Sequence, residues 1–122
     1  MKHCLIVDDS SVIRKVARQI MESHGFEVSE AENGQEALER CAGAWPEAIL
    51  LDWQMPVMGG HEFLSALSVN ERSEKTPYIV YCTTENDPVD ISQALNAGAS
   101  AYLLKPFDRA ALEAKFADTG LI

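Results

Sequence analysis

The chain is poor in the residues on which several common functions depend. Its three cysteines, Cys4, Cys41 and Cys82, are odd in number and none are paired at a metal-ligand spacing, which argues against a disulfide framework or a zinc ribbon. Two of them sit in apolar runs and read as small buried hydrophobes, as expected in a reducing cytoplasm. Cations are scarce too: 10 Lys and Arg stand against 19 Asp and Glu, for a net charge of -9. A nucleic-acid surface needs clustered cations, so that function class is set aside; solubility, or approach to basic patches on a partner, remains. No apolar run approaches the ~20 residues of a membrane span. Met1-Lys2-His3 leads straight into a strand-like segment and not into a secretory leader, and a cytoplasmic location is expected. The glycines make neither a P-loop nor a dinucleotide fingerprint, because Gly59-Gly60 lacks a following Lys-Ser/Thr. His61-Glu62 opens a metalloprotease-like pair, but Ser65 stands where the second histidine is required. His3 and His24 are isolated and read as structural.

What remains is an ordinary globular composition in 122 residues, enough for one domain with its own core. Cys4-Leu5-Ile6-Val7, Ala48-Ile49-Leu50-Leu51 and Tyr78-Ile79-Val80-Tyr81-Cys82 are short continuous apolar runs, the pattern of strands buried on both faces. Weaker strands are predicted at Glu27-Val28-Ser29-Glu30-Ala31 and Ala101-Tyr102-Leu103-Leu104. Between them come helical periodicities. Ile13, Val16, Ala17 and Ile20 form the first, with Ser10 or Ser11 as cap and His24-Gly25 as stop. Ala37, Leu38 and Cys41 form the second, after Asn33-Gly34. Phe63, Leu64 and Leu67 form the third, after Gly59-Gly60. Ile91, Ala94 and Leu95 form the fourth, closed by Gly98, and Leu112, Lys115 and Phe116 the last, capped by Asp108. Segment 70–76 reads as a polar loop. Five β-α alternations with short connections predict an α/β doubly wound parallel sheet with helices on both faces, within one domain spanning 1–122 and no output domain.

Asp8-Asp9 end the first run, Asp52 the second of the strong runs, and Lys105 the last strand. In a parallel sheet all four gather at the carboxyl edge, where open α/β sheets bind ligands. Two carboxylates ~5 Å apart at an effective dielectric of ~20 repel by roughly 3 kcal/mol, so such a cluster takes up protons, binds a cation, or both. Oxygen-only donors suit Mg²⁺ better than zinc or copper. A carboxylate nucleophile beside a divalent ion and a lysine is a site for phosphoryl transfer onto aspartate.

Val7-Asp8-Asp9-Ser10, Asp52-Trp53-Gln54-Met55-Pro56 with Gly60, Thr83, Tyr102 and Lys105-Pro106-Phe107, each in order and near a strand end, resemble the receiver domain of two-component response regulators along the whole chain, and most of all its free-standing chemotaxis type. The resemblance implies a flavodoxin-like sheet in the order 2-1-3-4-5. It implies Asp52 as phosphoacceptor, Asp9 as direct Mg²⁺ ligand, Asp8 as holder of a metal-bound water, and Gln54 as a ligand through its backbone carbonyl. It implies Lys105 as the cation on the phosphoryl oxygens, with a cis Lys105-Pro106 bond, and Thr83 and Tyr102 as the switch. It implies a histidine kinase or phosphotransfer protein as donor, docking on the first helix around Val12, Ile13 and Val16, and a protein target on the face of the fourth helix, fifth strand and fifth helix. Such a protein is a phosphoacceptor switch and not an enzyme in the usual sense, catalysing only its own phosphorylation and dephosphorylation.

Two positions depart from the family pattern. Thr84 replaces a very small residue and is expected to crowd the site. Gly59 replaces a capping acid, so a loose start to the third helix is expected. Gln54 and Glu85 fill the two variable positions that tune phosphate loss, and segment 85–90 is acidic. Other roles for a free-standing receiver are a relay intermediate, a phosphate sink or a kinase regulator. A flavodoxin-like cofactor carrier is disfavoured because Asp8-Asp9 stand where phosphate needs donors. An aspartate-nucleophile phosphatase is disfavoured because its two acids are not adjacent.

Overall fold

The computed structural model describes residues 2–53, 55–69, 77–84, 87–117 and 119–122; the expected loop at 70–76 and the positions Gln54 and Glu85 lie outside them. The elements alternate as β1 (His3–Val7), α1 (Ser11–Ser23), β2 (Glu27–Ala31), α2 (Gly34–Gly43), β3 (Ala48–Asp52), α3 (Gly60–Val69), β4 (Tyr78–Thr83), α4 (Pro88–Asn96), β5 (Ala101–Leu104) and α5 (Arg109–Ala117). All four strand pairings are parallel and the order is β2-β1-β3-β4-β5. This is the flavodoxin-like sheet the sequence predicts.

The three continuous apolar runs are the three inner strands, and every residue from Cys4 to Val7 and from Ala48 to Leu51 is buried. Alternate side chains feed two cores. Leu5, Val7, Ile49, Leu51, Ile79 and Tyr81 pack with α2, α3 and α4 on one face. Cys4, Ile6, Leu50, Val80 and Cys82 pack with α1 and α5 on the other. All three thiols are buried, and burial pushes Cys82 up to about 12 and Cys41 up to about 11.

The caps expected at Ser10 and Asp108 are present, and Asn33 and Asp87 cap two further helices. The Ser10 hydroxyl accepts from Ile13 N at 3.4 Å, and Asn33, Asp87 and Asp108 accept at 2.8–2.9 Å from backbone N–H groups of α2, α4 and α5. Two residues assigned inward by periodicity lie at the surface. Val16 is 42% and Leu95 39% exposed, because each helix covers the sheet with a stripe narrower than its apolar face.

The start of α3 is also tighter than a glycine cap leads one to expect. Gly60 N donates to the Trp53 carbonyl at 2.9 Å and Phe63 N to the Gly59 carbonyl at 3.0 Å. A Cβ on Gly60 would lie 2.8 Å from the Asp52 carbonyl oxygen and 2.8 Å from Trp53 Cε3. Gly60→Ala is therefore expected to cost about 1–3 kcal/mol, read as a lower urea midpoint at constant slope. An unchanged midpoint would mean that the turn after β3 yields freely.

Candidate functional site

The parallel register lines up the carboxyl ends of β1, β3 and β5, so residues remote in sequence meet there. Asp8 and Asp9 follow β1 directly, Asp52 ends β3, and Lys105 follows β5. One carboxylate oxygen from each of Asp8, Asp9 and Asp52 lies within 4.8 Å of the others. Lys105 Nζ lies 2.5 Å from Asp8 Oδ2 and 3.4 Å from Asp52 Oδ1. The structure thus brings together four of the seven residues named from the sequence.

Asp8 is held at every polar group. Its N–H donates to the Ala31 carbonyl at 3.1 Å, and its Oδ1 accepts from Ser10 N at 2.9 Å. Its Oδ2 accepts from Lys105 and its carbonyl from Arg14 Nη1 at 2.6 Å. Asp9 is exposed. One acid is therefore a fixed strut, and its neighbour has room to meet a cation.

Burial pushes Asp52 up from 3.8 to about 6, Asp8 and Asp9 add to the rise, and Lys105 opposes it. Burial alone would pull Lys105 down, but the hydrogen bond to Asp8 and the charges of Asp52 and Asp8 hold its ammonium above the usual value. Asp52 is then ionised at neutral pH yet more basic, and so more nucleophilic, than an ordinary aspartate.

Thr83 ends β4 and is 8% exposed. Its carbonyl accepts from Lys105 N at 2.7 Å, fastening β4 to the turn that carries the lysine. Thr84 is exposed. The Lys105-Pro106 bond is cis, as the resemblance implies. Tyr102 is half-buried beneath Lys115, whose Nζ lies 5.1 Å from the ring centroid. The tyrosine stands between two hollows of about 360 Å³ each, one bounded by α4 residues and the other by Phe107, Ala111 and Lys115. Gln54, expected as a ligand through its backbone carbonyl, lies outside the described residues.

Sequence reasoning missed Arg14. The residue stands between the apolar positions of α1, yet its side chain is only 12% exposed and pairs with Glu30 at 3.0 Å. Nothing in the local sequence separates Arg14 from Lys15 or Arg18; only the approach of β2 to α1 does.

The three carboxylates suit a hard divalent cation such as Mg²⁺, which keeps waters and takes one or two carboxylates. Asp9 and Asp52 would hold it, with Asp8 behind.

A family model described as the response regulator receiver domain matches residues 4–117. Chemotaxis protein CheY1 of Helicobacter pylori strain J99 is 36% identical over 113 residues, covering 91% of this chain and 90% of its own. The crystal structure of Vibrio cholerae chemotaxis protein CheY4 aligns with a TM-score of 0.89 at 33% identity, over 97% of this chain and 98% of the other. The receiver domain of Ssk1, crystallised with the Saccharomyces cerevisiae histidine phosphotransfer protein Ypd1, aligns at 0.83 with 28% identity, over 93% of this chain and 85% of the other.

Proposed function

Since the chain belongs to the response regulator receiver domain family, we propose that it is a signalling switch that takes a phosphoryl group onto Asp52 from a phosphohistidine and thereby changes its protein contacts. The observation that carries this reading is Asp52 held beside two further carboxylates and 3.4 Å from the Lys105 ammonium, with burial pushing its carboxyl up. An Asp52 carboxylate oxygen attacks phosphorus, the bond from phosphorus to the donor nitrogen breaks, and the imidazole leaves. Lys105 meets the charge of the incoming phosphoryl oxygens, and Thr83 offers them its hydroxyl. Mg²⁺, when bound, would supply charge neutralisation at the same oxygens. The protein has no metabolite to turn over: Asp52 is itself consumed and restored.

The donor is a histidine kinase or phosphotransfer protein, in keeping with the Ypd1 complex of the Ssk1 receiver. Val12, 70% exposed, and Val16 form an apolar patch beside the site, suited to a histidine-bearing helix. The target face lies around Tyr102, between α4 and α5, and the pathway is chemotaxis, by likeness to the named relatives. Among the described residues no helix is long and apolar enough to cross a membrane, and the cytoplasm is the proposed location.

The test is incubation with acetyl phosphate, with and without Mg²⁺, followed by intact-mass measurement and borohydride trapping of the acyl phosphate. One phosphoryl group, dependent on Mg²⁺ and mapped to Asp52, is expected. A stable adduct elsewhere would overturn the assignment.

The switch passes through Thr83. Phosphate brings nearly two negative charges and several acceptor oxygens, and one charge-assisted hydrogen bond from Thr83 supplies roughly 1.5–3 kcal/mol, enough to shift a population some tenfold to a hundredfold. Thr83→Ala is expected to accept phosphate yet leave Tyr102 unmoved, read by ¹⁹F NMR of fluorotyrosine-labelled protein with a beryllium fluoride mimic. An undiminished Tyr102 shift in that mutant would route the signal elsewhere.

A further inference from the structure

We propose that Arg14 is a positioning residue for the metal site: it fixes the peptide that joins Asp8 to Asp9, and so aims the Asp9 carboxylate. The proposal rests on the metal-dependent reading above.

Three observations carry it. First, the Asp8 carbonyl belongs to the peptide bond leading into Asp9, and Arg14 Nη1 donates to that oxygen at 2.6 Å. Second, the guanidinium cannot pivot freely. Its Nε donates to Glu30 Oε1 at 3.0 Å, and its Nη2 lies 3.9 Å from Glu32 Oε1. Glu30 is anchored in turn by Arg18 Nη1 at 2.6 Å. Third, Arg14 sits one turn into α1, where its N–H donates to the Ser10 carbonyl at 3.1 Å. A planar fork thus ties the start of α1, the edge strand β2 and the Asp8-Asp9 peptide into one frame. Asp8 needs no help, since both of its carboxylate oxygens are already bonded. Asp9 is exposed and has its backbone as its guide.

This role and a purely electrostatic one have opposite signs. Arg14 is a cation near a cation site, so removing its charge alone would tighten Mg²⁺. Removing its hold on the peptide lets Asp9 wander and weakens Mg²⁺. Lysine keeps the charge but lacks the fork that spans Glu30 and the Asp8 carbonyl.

The experiment is calorimetric titration of Mg²⁺ into wild type, Arg14→Gln, Arg14→Lys and the same changes in an Asp9→Ala background. Losses on the order of tenfold are expected for Arg14→Gln, the scale of losing a group that orients a ligand, and at least as large a loss for Arg14→Lys, which gives up the same fork and keeps the charge. Both losses should shrink once Asp9 is gone, which a general structural weakening would not produce. Unchanged or tighter binding by Arg14→Gln overturns the proposal, as does wild-type affinity in Arg14→Lys. If Arg14→Gln does not fold, the lysine variant decides. Absence of Mg²⁺ binding by wild type is a different failure: it removes the metal reading, and this inference with it.

Discussion

Asp52→Asn is expected to take up no phosphoryl group from acetyl phosphate and, in EDTA at pH 7, to be more stable than the parent. The two results have one cause. Burial and the neighbouring acids push the Asp52 carboxyl up from 3.8 to about 6, so its ionised form is costly in the folded state. Below pH ~4 the group is protonated whether the chain is folded or not, and this cost is absent. It grows as pH rises toward 6 and is complete above that. The full shift amounts to about 3 kcal/mol at neutral pH. Asparagine weakens the contact to Lys105, and the net gain should be about 2 kcal/mol. Thermal melts in EDTA should rise by roughly 5–10 °C at pH 7, with the difference closing toward pH 4. An asparagine variant no more stable than the parent at pH 7 would mean that Lys105 already neutralises Asp52.

Lys105→Met should have the reverse effect on stability. Lys105 and Asp8 are 10% and 4% exposed at the side chain and form a close pair. Methionine matches the length of the stem but leaves two carboxylates facing each other without a cation. Breaking a buried pair in this way costs about 3–5 kcal/mol. The loss should be largest in EDTA and substantially repaired by Mg²⁺, which this variant should bind more tightly than wild type. Acetyl phosphate should nevertheless label it on the order of 10²-fold more slowly, since a charge aimed at the transferring group is gone. Weaker Mg²⁺ binding would show that the lysine serves first to hold the turn after β5 in place.

Much of this was legible in the sequence, for a physical reason. Strands buried on both faces must be apolar throughout, so β1, β3 and β4 announce themselves, and the polar residue ending each marks the sheet edge. That logic places Asp8, Asp9, Asp52 and Lys105 together without any knowledge of distances. Helix faces are less legible. Val16 and Leu95 fit the apolar spacing as well as Ala17 and Ala94, but a helix resting on a sheet buries only its lowest stripe, and spacing does not say where the stripe ends. Arg14 was illegible because its importance lies in what approaches it. The partners of its side chain, the Asp8 carbonyl, Glu30 and Glu32, come from elsewhere in the chain, and a backbone oxygen leaves no mark in a sequence. The tight start of α3 was hidden likewise, since a carbonyl of residue 53 does the work of a capping side chain.

The strand order also bears on how the chain is assembled. β2 and β3 both pair with β1, and all three lie within the first 52 residues, so these contacts are closer in sequence than those of β5 and are favoured to form first. That half carries all three carboxylates of the cluster. The lysine that offsets them follows β5, near the other end of the chain. Whenever β3 docks on β1 ahead of β5, the nascent site is for a time a bare knot of negative charge. The negative charge of the cluster is thus written in the first half of the chain and the cation that offsets it in the second.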